Sequence, residues 1–305
     1  MSILRNRQIG LLTVWKNLPK CGVQASIIAG GGVLRTGVFP ATCLLLVIMG
    51  SAHTAVPREA KVESHQEEKP RPLVVVIDPG HGGREHGCTG VSGIKEKDLV
   101  LKISLKIRDL LKELPDVSVI MTRESDTSVP LWDRVDMANR AHADLFISVH
   151  GNAFVRRSMH GVETFFHSVD ASDDEARRVA SAENAEDKGE QTQASDEVMS
   201  ILADMQRTET LRESSRFAHL VQERLAKALP FENLGVKQAD FVVLRGTRMP
   251  SVLLELGFLT NRREERILRK SSTHEDVAQA VRLAVVEYKR LMQKKMMNRQ
   301  KESSL

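Results

Sequence analysis

Short apolar runs alternate with amphipathic segments along most of the chain. Residues 73–77 have the length and the β-branched content of a strand that is buried on both faces. Apolar side chains then recur at steps of three and four residues, which predicts a helix that begins at Glu96 and ends before Pro115. By the same criteria, further strands are predicted at residues 117–122, 145–149, 161–166, 241–244 and 251–254.

Helical spacing separates several of these strands. It predicts helices at residues 131–141 and 211–229, and a short helix that begins at Asn261. Thr273, with Asp276 three residues later, is typical of a helix start and predicts the beginning of the last helix. This alternation of strands and helices predicts an α/β fold in which a largely parallel sheet is covered on both faces.

One long stretch interrupts the alternation. Residues 170–207 are polar, acidic and rich in alanine, and a loop of this length inside a compact domain is usually functional or disordered. We therefore interpret it as an insertion in a domain at residues 73–295. Residues 296–305 are expected to form a basic tail after that domain.

The first 55 residues are typical of a signal peptide or an N-terminal anchor. An apolar core at residues 41–50 is followed by the small residues Ser51 and Ala52, as at a secretory cleavage site. This core alone is too short to span a bilayer, but the apolar residues 27–38 could extend it into an uncleaved anchor. Residues 56–72 are charged and contain proline, so they are predicted to be a linker.

The basic charge of the chain comes from this leader. The leader holds five basic residues and no acidic ones, which leaves 39 basic and 40 acidic residues in the rest of the chain. A neutral body with 4% aromatic residues does not favour binding to nucleic acid. Two of the three cysteines also lie in the leader, so Cys88 has no partner for a disulfide within the mature chain.

Three side chains that can bind metal follow or begin predicted elements. His81 and His150 follow strands, and Glu96 begins a helix. In α/β sheets, ligands bind at the carboxyl ends of the strands, and two imidazoles with one carboxylate form the ligand set of many hydrolytic zinc sites. The alternative for each histidine is a hydrogen-bonded loop or core residue. Glycines on both sides of His81 favour the metal site. A turn with only a structural role would not require so many of the neighbouring residues to lack a side chain.

Glu255 is the fourth polar group at the same edge of the sheet. It ends an apolar strand that has no other charge, and an unpaired buried carboxylate is costly. Next to a metal ion, Glu255 can take a proton from the attacking water and donate it to a leaving amine. These residue types therefore point to metal-assisted amide hydrolysis.

Several motifs together resemble a known enzyme family. In the order of the chain they are VVIDPGHGG, the glutamate of GIKEKDLVL, TRESD, VPLWDRVDMAN, ADLFISVHGNA, GVETFF and MPSVLLELGFLTN. The set resembles the zinc-dependent N-acetylmuramoyl-L-alanine amidases of bacterial cell-wall turnover, from Leu73 to about Leu291. The resemblance implies a single α/β domain with a six-stranded sheet and helices on both faces.

The resemblance also implies roles for individual residues. It implies that His81, Glu96 and His150 hold one zinc ion, and that Glu255 is catalytic. The bond cut would join the lactyl group of N-acetylmuramic acid to the L-alanine of the peptidoglycan stem peptide. Asn152 and Arg245 also match family motifs and are candidates for substrate positioning, with a structural role as the alternative for each.

The insertion resembles the regulatory insertion of the division-associated amidases of Gram-negative bacteria. In that group a helix lies across the active site and adds a glutamate to the metal, until an activator with an inert metalloendopeptidase-like domain displaces it. Residues 174–187 match that helix, and Glu183 is the candidate glutamate; the alternative is a solvated acidic loop. The resemblance thus implies a periplasmic enzyme, tethered to the inner membrane if the leader is not cleaved.

The chain departs from the family at two places. The linker at residues 56–72 leaves no room for the N-terminal wall-targeting domain of larger members, and the loop after His81 has an unusual sequence. We interpret His86 and Cys88 in that loop as loop residues, with a Cys88 thiolate as an alternative ligand. Two other functions stay open, namely a zinc carboxypeptidase that acts on wall peptides and a non-catalytic wall-binding protein. A carboxypeptidase would need a clamp for a terminal carboxylate, for which Arg123, Arg134 and Arg245 are the candidates.

Overall fold

Six strands form one sheet in the computed structural model, which describes residues 71–185 and 201–303. The strands are β1 (Leu73–Pro79), β2 (Val117–Met121), β3 (Leu145–Asn152), β4 (Val162–His167), β5 (Asn233–Ala239) and β6 (Ser251–Phe258). Their order across the sheet is β2-β1-β3-β6-β4-β5, and every neighbouring pair is parallel except β4 with β6. This confirms the predicted α/β fold with a mostly parallel six-stranded sheet.

Helices cover both faces of the sheet. They are α1 (Glu96–Lys112), α2 (Leu131–Arg140), α3 (Asp174–Asn184), α4 (Ile201–Ala228), α5 (Val242–Arg245), α6 (Arg262–Leu268) and α7 (Ser271–Ser303). One core cluster packs α1, α4 and α7 against the sheet, and a second core cluster packs α3 and α5 on the other face. Fully buried apolar strands such as β3 are stable because both faces are covered.

The predicted strand at residues 241–244 is wrong. All four residues are buried, but Phe241 is the N-cap of α5 and the other three belong to that helix. The strand before them is β5, whose side chains are mostly half-buried. Periodicity cannot separate a short buried strand from a short buried helix, and an edge strand lacks the apolar run that marks a central one. β5 was therefore missed.

The predicted start and end of the last helix are also wrong. α7 begins at Ser271 and not after Thr273, and it continues to Ser303 through most of the segment that was predicted to be a tail. Asn261 does cap α6, since its side chain accepts hydrogen bonds from the backbone N–H groups of Arg263 and Glu264.

Several predictions concern residues outside the described part of the chain. These are the leader, residues 56–70 of the linker and residues 186–200 of the insertion. Because α4 begins at Ile201, the last seven residues of the predicted insertion belong to that helix. Among the described helices, none combines the length and the apolar character that crossing a membrane would require.

The register of the central strands brings their carboxyl ends together. Pro79 of β1 pairs with Val149 of β3, and His150 pairs with Glu255 of β6. His81 follows β1 by two residues, so it reaches the same edge. The order β1-β3-β6 thus places two histidines and a glutamate side by side.

Candidate metal and active site

Four potential metal ligands converge at this edge of the sheet. One ligand atom from each of His81, Glu96, His150 and Glu183 lies within 4.8 Å of the other three. His81 Nε2 lies 3.0 Å from Glu96 Oε1 and 3.4 Å from Glu183 Oε2. His150 Nδ1 lies 3.2 Å from Glu96 Oε1 and 2.8 Å from Glu183 Oε2. The structure thus brings together the three ligands predicted from the sequence and the predicted glutamate of the insertion.

The orientation of these groups fits a shared cation. His150 Nδ1 and Glu183 Oε2 are buried, and neither makes a hydrogen bond to the described residues although they lie 2.8 Å apart. Buried polar atoms in proteins normally have a partner. A metal ion between the nitrogen and the oxygen would satisfy both atoms at once.

Backbone groups orient the Glu96 carboxylate. Glu96 begins α1 and is 1% exposed; its Oε2 accepts a hydrogen bond from the N–H of Cys88, and its Oε1 accepts one from the N–H of Gly151. Burial alone would raise the pKa of Glu96, but the imidazoles of His81 and His150 outweigh it and hold the pKa well below its usual range. Glu96 is therefore ionised, as a metal ligand must be.

The neighbouring carboxylates also set the charge of His150. Burial alone would lower the pKa of His150, but Glu183 and Glu96 outweigh it and raise the pKa well above the usual value. The two carboxylates therefore favour positive charge at this position. A bound metal ion would supply that positive charge.

The loop residues His86 and Cys88 lie outside the four-residue cluster. His86 is exposed, and the thiol of Cys88 donates a hydrogen bond to the carbonyl oxygen of Gly151. Burial and the Glu96 carboxylate raise the pKa of Cys88 far above its usual value. Because the thiol is bonded to a backbone carbonyl and lies outside the cluster, the structure favours the interpretation of Cys88 as a loop residue.

Two buried arginines hold the backbone of the His81 loop. Arg134 donates to the carbonyl oxygens of Pro79 and His81, and Arg123 donates to those of Pro79 and Gly80. His81 itself has a φ of 58°, in the left-handed region that non-glycine residues seldom adopt. Arg123 and Arg134 were candidates for a carboxylate clamp, but their donors are used to fix this conformation.

Gly80 allows the loop to approach His150 closely. A Cβ atom at position 80 would lie 2.3 Å from Cε1 of the His150 ring. We expect Gly80→Ala to displace this ring, to cost about 1–3 kcal/mol of stability by overpacking, and to weaken metal binding at least tenfold. Urea denaturation and a metal-competition titration measure the two effects.

Gly93→Ala is the control for this substitution. Gly93 has a φ of 83°, and no atom lies within 4 Å of the place that an added methyl group would take, so alanine there adds backbone strain without contact. Gly93→Ala should lower stability and leave metal affinity unchanged. Equal metal affinities for the two variants would contradict the packing argument.

Glu255 lies next to the cluster and is completely buried. Neither of its carboxylate oxygens has a hydrogen-bond partner among the described residues. Burial raises its pKa well above the usual value, and the carboxylates of Glu183, Glu96 and Glu163 act in the same direction. A raised pKa makes a carboxyl group hold a proton more readily, which suits a group that must accept a proton and donate it again.

A second buried glutamate, Glu163, was missed by the sequence reasoning. It lies opposite Glu255 in the pairing of β4 with β6, accepts a hydrogen bond from Asn152, and forms an ion pair with Lys237. The signal that pointed to Glu255, a single charge in an apolar strand, is also present in GVETFF. Asn152 lines the cavity at the site, and its role in substrate positioning stays a prediction.

Arg245 lies elsewhere. It forms two hydrogen bonds with the carboxylate of Asp240, and it lines a cavity of about 490 Å³ that shares no lining residue with the cavity at the metal ligands. The structure therefore does not bring Arg245 to the cavity at the candidate ligands, and its role in substrate positioning stays a prediction. The site cavity has a volume of about 510 Å³, and its walls include His81, Glu96, Asn152, Phe154, Arg178 and Glu183.

Hydrogen bonds at both ends of α3 hold this helix next to the candidate ligands. At its start, the N–H of Ser172 donates to the carbonyl oxygen of Gln238 in β5, and the N–H of Gln238 donates to the Ser172 hydroxyl. At its end, the Asn184 side chain donates to the carbonyl oxygen of Asp240 and accepts from the N–H of Val242. Ala176, Val179 and Ala180 pack into the core on this face. This packing carries Glu183, 15% exposed, into the cluster.

Comparison with known proteins gives a consistent result. The family of N-acetylmuramoyl-L-alanine amidases matches residues 75–287. The amidase AmiA of Escherichia coli K12 is 31% identical over 83% of this chain and 91% of its own length. AmiC of an Escherichia coli strain is 33% identical over 76% of this chain, and this match spans 56% of its own length.

Solved structures agree with the sequence comparison. An N-acetylmuramoyl-L-alanine amidase from Clostridium difficile 630 is 27% identical, with a TM-score of 0.56 over 72% of this chain and 97% of its own. The catalytic domain of the amidase CwlV from Bacillus (Paenibacillus) polymyxa is 29% identical, with a TM-score of 0.56 over 71% and 97%. The family match, the relatives and the shared fold extend over most of the chain, and the chain therefore belongs to the N-acetylmuramoyl-L-alanine amidase family.

Proposed function

We propose that the protein is a zinc-dependent amidase of peptidoglycan. It cuts the amide bond between the lactyl group of N-acetylmuramic acid and the L-alanine of the stem peptide. The observation that carries the proposal is the convergence of His81, Glu96 and His150 on one point beside a buried Glu255. Family membership supplies the substrate class.

The donor set suits zinc. Two imidazole nitrogens and carboxylate oxygens at tetrahedral corners about 2.0–2.1 Å from zinc would lie about 3.3 Å from one another. The observed nitrogen–oxygen separations of 2.8, 3.0, 3.2 and 3.4 Å lie within about 0.5 Å of this value, and three of them are shorter. His81 Nε2, His150 Nδ1 and Glu96 Oε1 would hold the ion.

The remaining chemistry belongs to the protein. When bound, zinc supplies Lewis acidity that polarises the amide carbonyl and acidifies water. Glu255 accepts a proton from the attacking water, whose oxygen forms the new bond to the lactyl carbonyl carbon. Glu255 then donates that proton to the nitrogen of L-alanine as the carbon–nitrogen bond breaks. Its burial keeps bulk water from competing for this proton.

We also propose that α3 inhibits the enzyme. Glu183 Oε2 occupies the position at the cluster that an attacking water and the substrate carbonyl would need. The anchors at both ends of α3 and its apolar contacts hold the glutamate there. A partner must displace α3 before substrate can enter, which makes the helix a two-state switch.

Removal of the inhibitory carboxylate should activate the enzyme. We expect Glu183→Ala to raise the rate of stem-peptide release from purified muropeptides by at least tenfold, because one ligand position becomes available to water and substrate. The measurement is separation of released stem peptides from zinc-loaded wild type and variant.

Asp174→Ala is the matched control on the same helix. Asp174 is exposed and pairs with Arg177, far from the ligand atoms, so its removal should leave the rate near that of wild type. Activity of the wild type equal to that of Glu183→Ala would contradict inhibition by α3. No release by any variant would contradict the amidase activity.

The three arginines predicted as a clamp for a carboxypeptidase have other partners. Arg123 and Arg134 donate to backbone carbonyls of the His81 loop, and Arg245 pairs with Asp240. Release of C-terminal D-alanine in the same digestion would favour a carboxypeptidase. A non-catalytic wall-binding protein would have no need for a buried Glu255 with a raised pKa.

The biological setting follows from the family. We propose that the protein is exported to the periplasm and acts in cell-wall remodelling or daughter-cell separation. Its activator is proposed to carry an inert metalloendopeptidase-like domain. Fractionation of cells that express a tagged full-length chain tests the location.

A further inference from the structure

The ammonium group of Lys237 lies among three carboxylates. Its Nζ is 2.9 Å from Glu163 Oε2, 3.5 Å from Asp173 Oδ2 and 3.9 Å from Glu175 Oε2. The Lys237 side chain is 13% exposed and that of Glu163 is fully buried. Asp173 caps α3 and Glu175 is in its first turn, so one lysine joins the start of α3 to a carboxylate in the sheet.

Glu163 connects Lys237 to the catalytic side of the site. Its Oε1 accepts a hydrogen bond of 2.8 Å from the side-chain amide of Asn152, two residues after His150 on β3. Glu163 is also directly opposite Glu255 in the antiparallel pairing of β4 with β6. Residues in such positions have Cβ atoms about 4.5–5.5 Å apart on the same face of a sheet. The charge of Glu163 therefore lies beside the carboxyl group that must exchange a proton.

An unpaired charge at Glu163 would disturb this arrangement. A buried carboxylate without compensation is costly, and like charges side by side repel. Burial raises the pKa of Glu163, and Lys237 acts against that shift. Lys237 is thus the group that offsets the charge of Glu163, while Glu163 Oε1 accepts the bond from Asn152.

We propose that Lys237 and Glu163 form a positioning pair for the amidase reaction, in which Lys237 compensates the charge of Glu163 and Glu163 fixes Asn152 beside Glu255. This inference rests on the amidase function proposed above. It assigns to both residues a role that acts through Glu255 and Asn152 and not through contact with zinc or substrate. Because Lys237 also contacts Asp173 and Glu175, its role must be measured where α3 no longer blocks the site.

The test is a double-mutant cycle in the Glu183→Ala background of the zinc-loaded full chain. We expect Lys237→Met to lower kcat for stem-peptide release about tenfold or more, with KM changed by less than about twofold. Glu163→Gln should lower kcat by less than about threefold, because its amide oxygen still accepts from Asn152 and no charge remains. The double variant should recover to the level of Glu163→Gln, and Lys237→Arg should stay near the reference.

Lys289→Met is the control for loss of a partly buried lysine. Lys289→Met removes another partly buried lysine, which contacts the carbonyl oxygens of Pro115 and Asp116, and should leave kcat unchanged. If Lys237→Met has the kcat of the reference, or if the double variant is no better than Lys237→Met, the positioning pair is overturned while the amidase function stands. A reference without stem-peptide release would overturn the amidase function itself, and this proposal with it. Circular dichroism and zinc content check that each variant is folded and loaded.

Discussion

Glu255→Gln in the Glu183→Ala background is expected to lower kcat for stem-peptide release by about 10²–10⁴-fold, the range for loss of a general acid–base group. Glutamine has nearly the shape of glutamate but neither accepts the proton of water nor donates one to the leaving amine. Glu255 is fully buried and has no hydrogen-bond partner among the described residues, so this substitution disrupts no bond of the fold. Muropeptide digestion with quantified products gives the rate.

Zinc content separates this loss from loss of the metal. Glu255→Gln should retain one zinc ion per chain, whereas Glu96→Gln should lose both zinc and activity because Glu96 Oε1 contacts both imidazoles. Glu265→Gln replaces another buried glutamate, which accepts hydrogen bonds from Ser92, and should keep both. A Glu255→Gln variant with undiminished kcat would remove Glu255 from the mechanism.

The convergence of the site could be predicted because it depends on strand ends. Apolar runs before His81 and His150 predict buried parallel strands, and the carboxyl ends of such strands meet at one edge. The prediction that His81 and His150 lie at one edge did not require the order of the strands in the sheet. Glu183 could be proposed only through the family resemblance, because nothing in a polar, acidic helix indicates which carboxylate points inward.

Other parts of the site depend on contacts that the sequence does not encode locally. Lys237 lies on β5, an edge strand with little apolar character, and it reaches Glu163 only because β4 and β5 are neighbours. Arg245 follows the apolar residues predicted to be a strand; as the last residue of α5 it forms hydrogen bonds with Asp240. In both cases pairing between distant segments decides the role of the residue.

The roles of Arg123 and Arg134 also depend on contacts between distant segments. Arg134 in addition stabilises the fold through an ion pair. Arg134, 2% exposed, donates to Asp78 Oδ1 at 2.8 Å and to the carbonyl oxygens of Pro79 and His81. Asp78 also accepts hydrogen bonds from Thr122 and Ser148. Burial alone would raise the pKa of Asp78, but Arg134 and these hydroxyl groups outweigh it and lower the pKa. The Arg134–Asp78 ion pair and these two hydroxyl groups therefore connect α2, β1, β3 and the residue that follows β2.

Arg134→Met is expected to destabilise the fold by about 3–5 kcal/mol, because it leaves the Asp78 carboxylate buried without its cation and frees the loop carbonyls. The folded-state pKa of Asp78 is lowered, so the contribution of the pair is present above the usual pKa of 3.8 and is lost as the pH falls through the folded-state pKa. The difference in unfolding free energy between wild type and variant should therefore shrink on acidification. Urea denaturation of metal-free protein at pH 7 and at pH 3 measures it.

Arg140→Met is the matched control on the same helix. Arg140 is 73% exposed and its guanidinium lies 3.8 Å from Asp136, so its loss should change stability by less than about 0.5 kcal/mol at either pH. If the two variants were equally stable, or if the deficit of Arg134→Met did not depend on pH, the pair with Asp78 would not be what holds the loop. If the deficit shrinks on acidification, the stability of the His81 loop depends on one buried ion pair. The geometry of the candidate metal ligands then depends on the same pair.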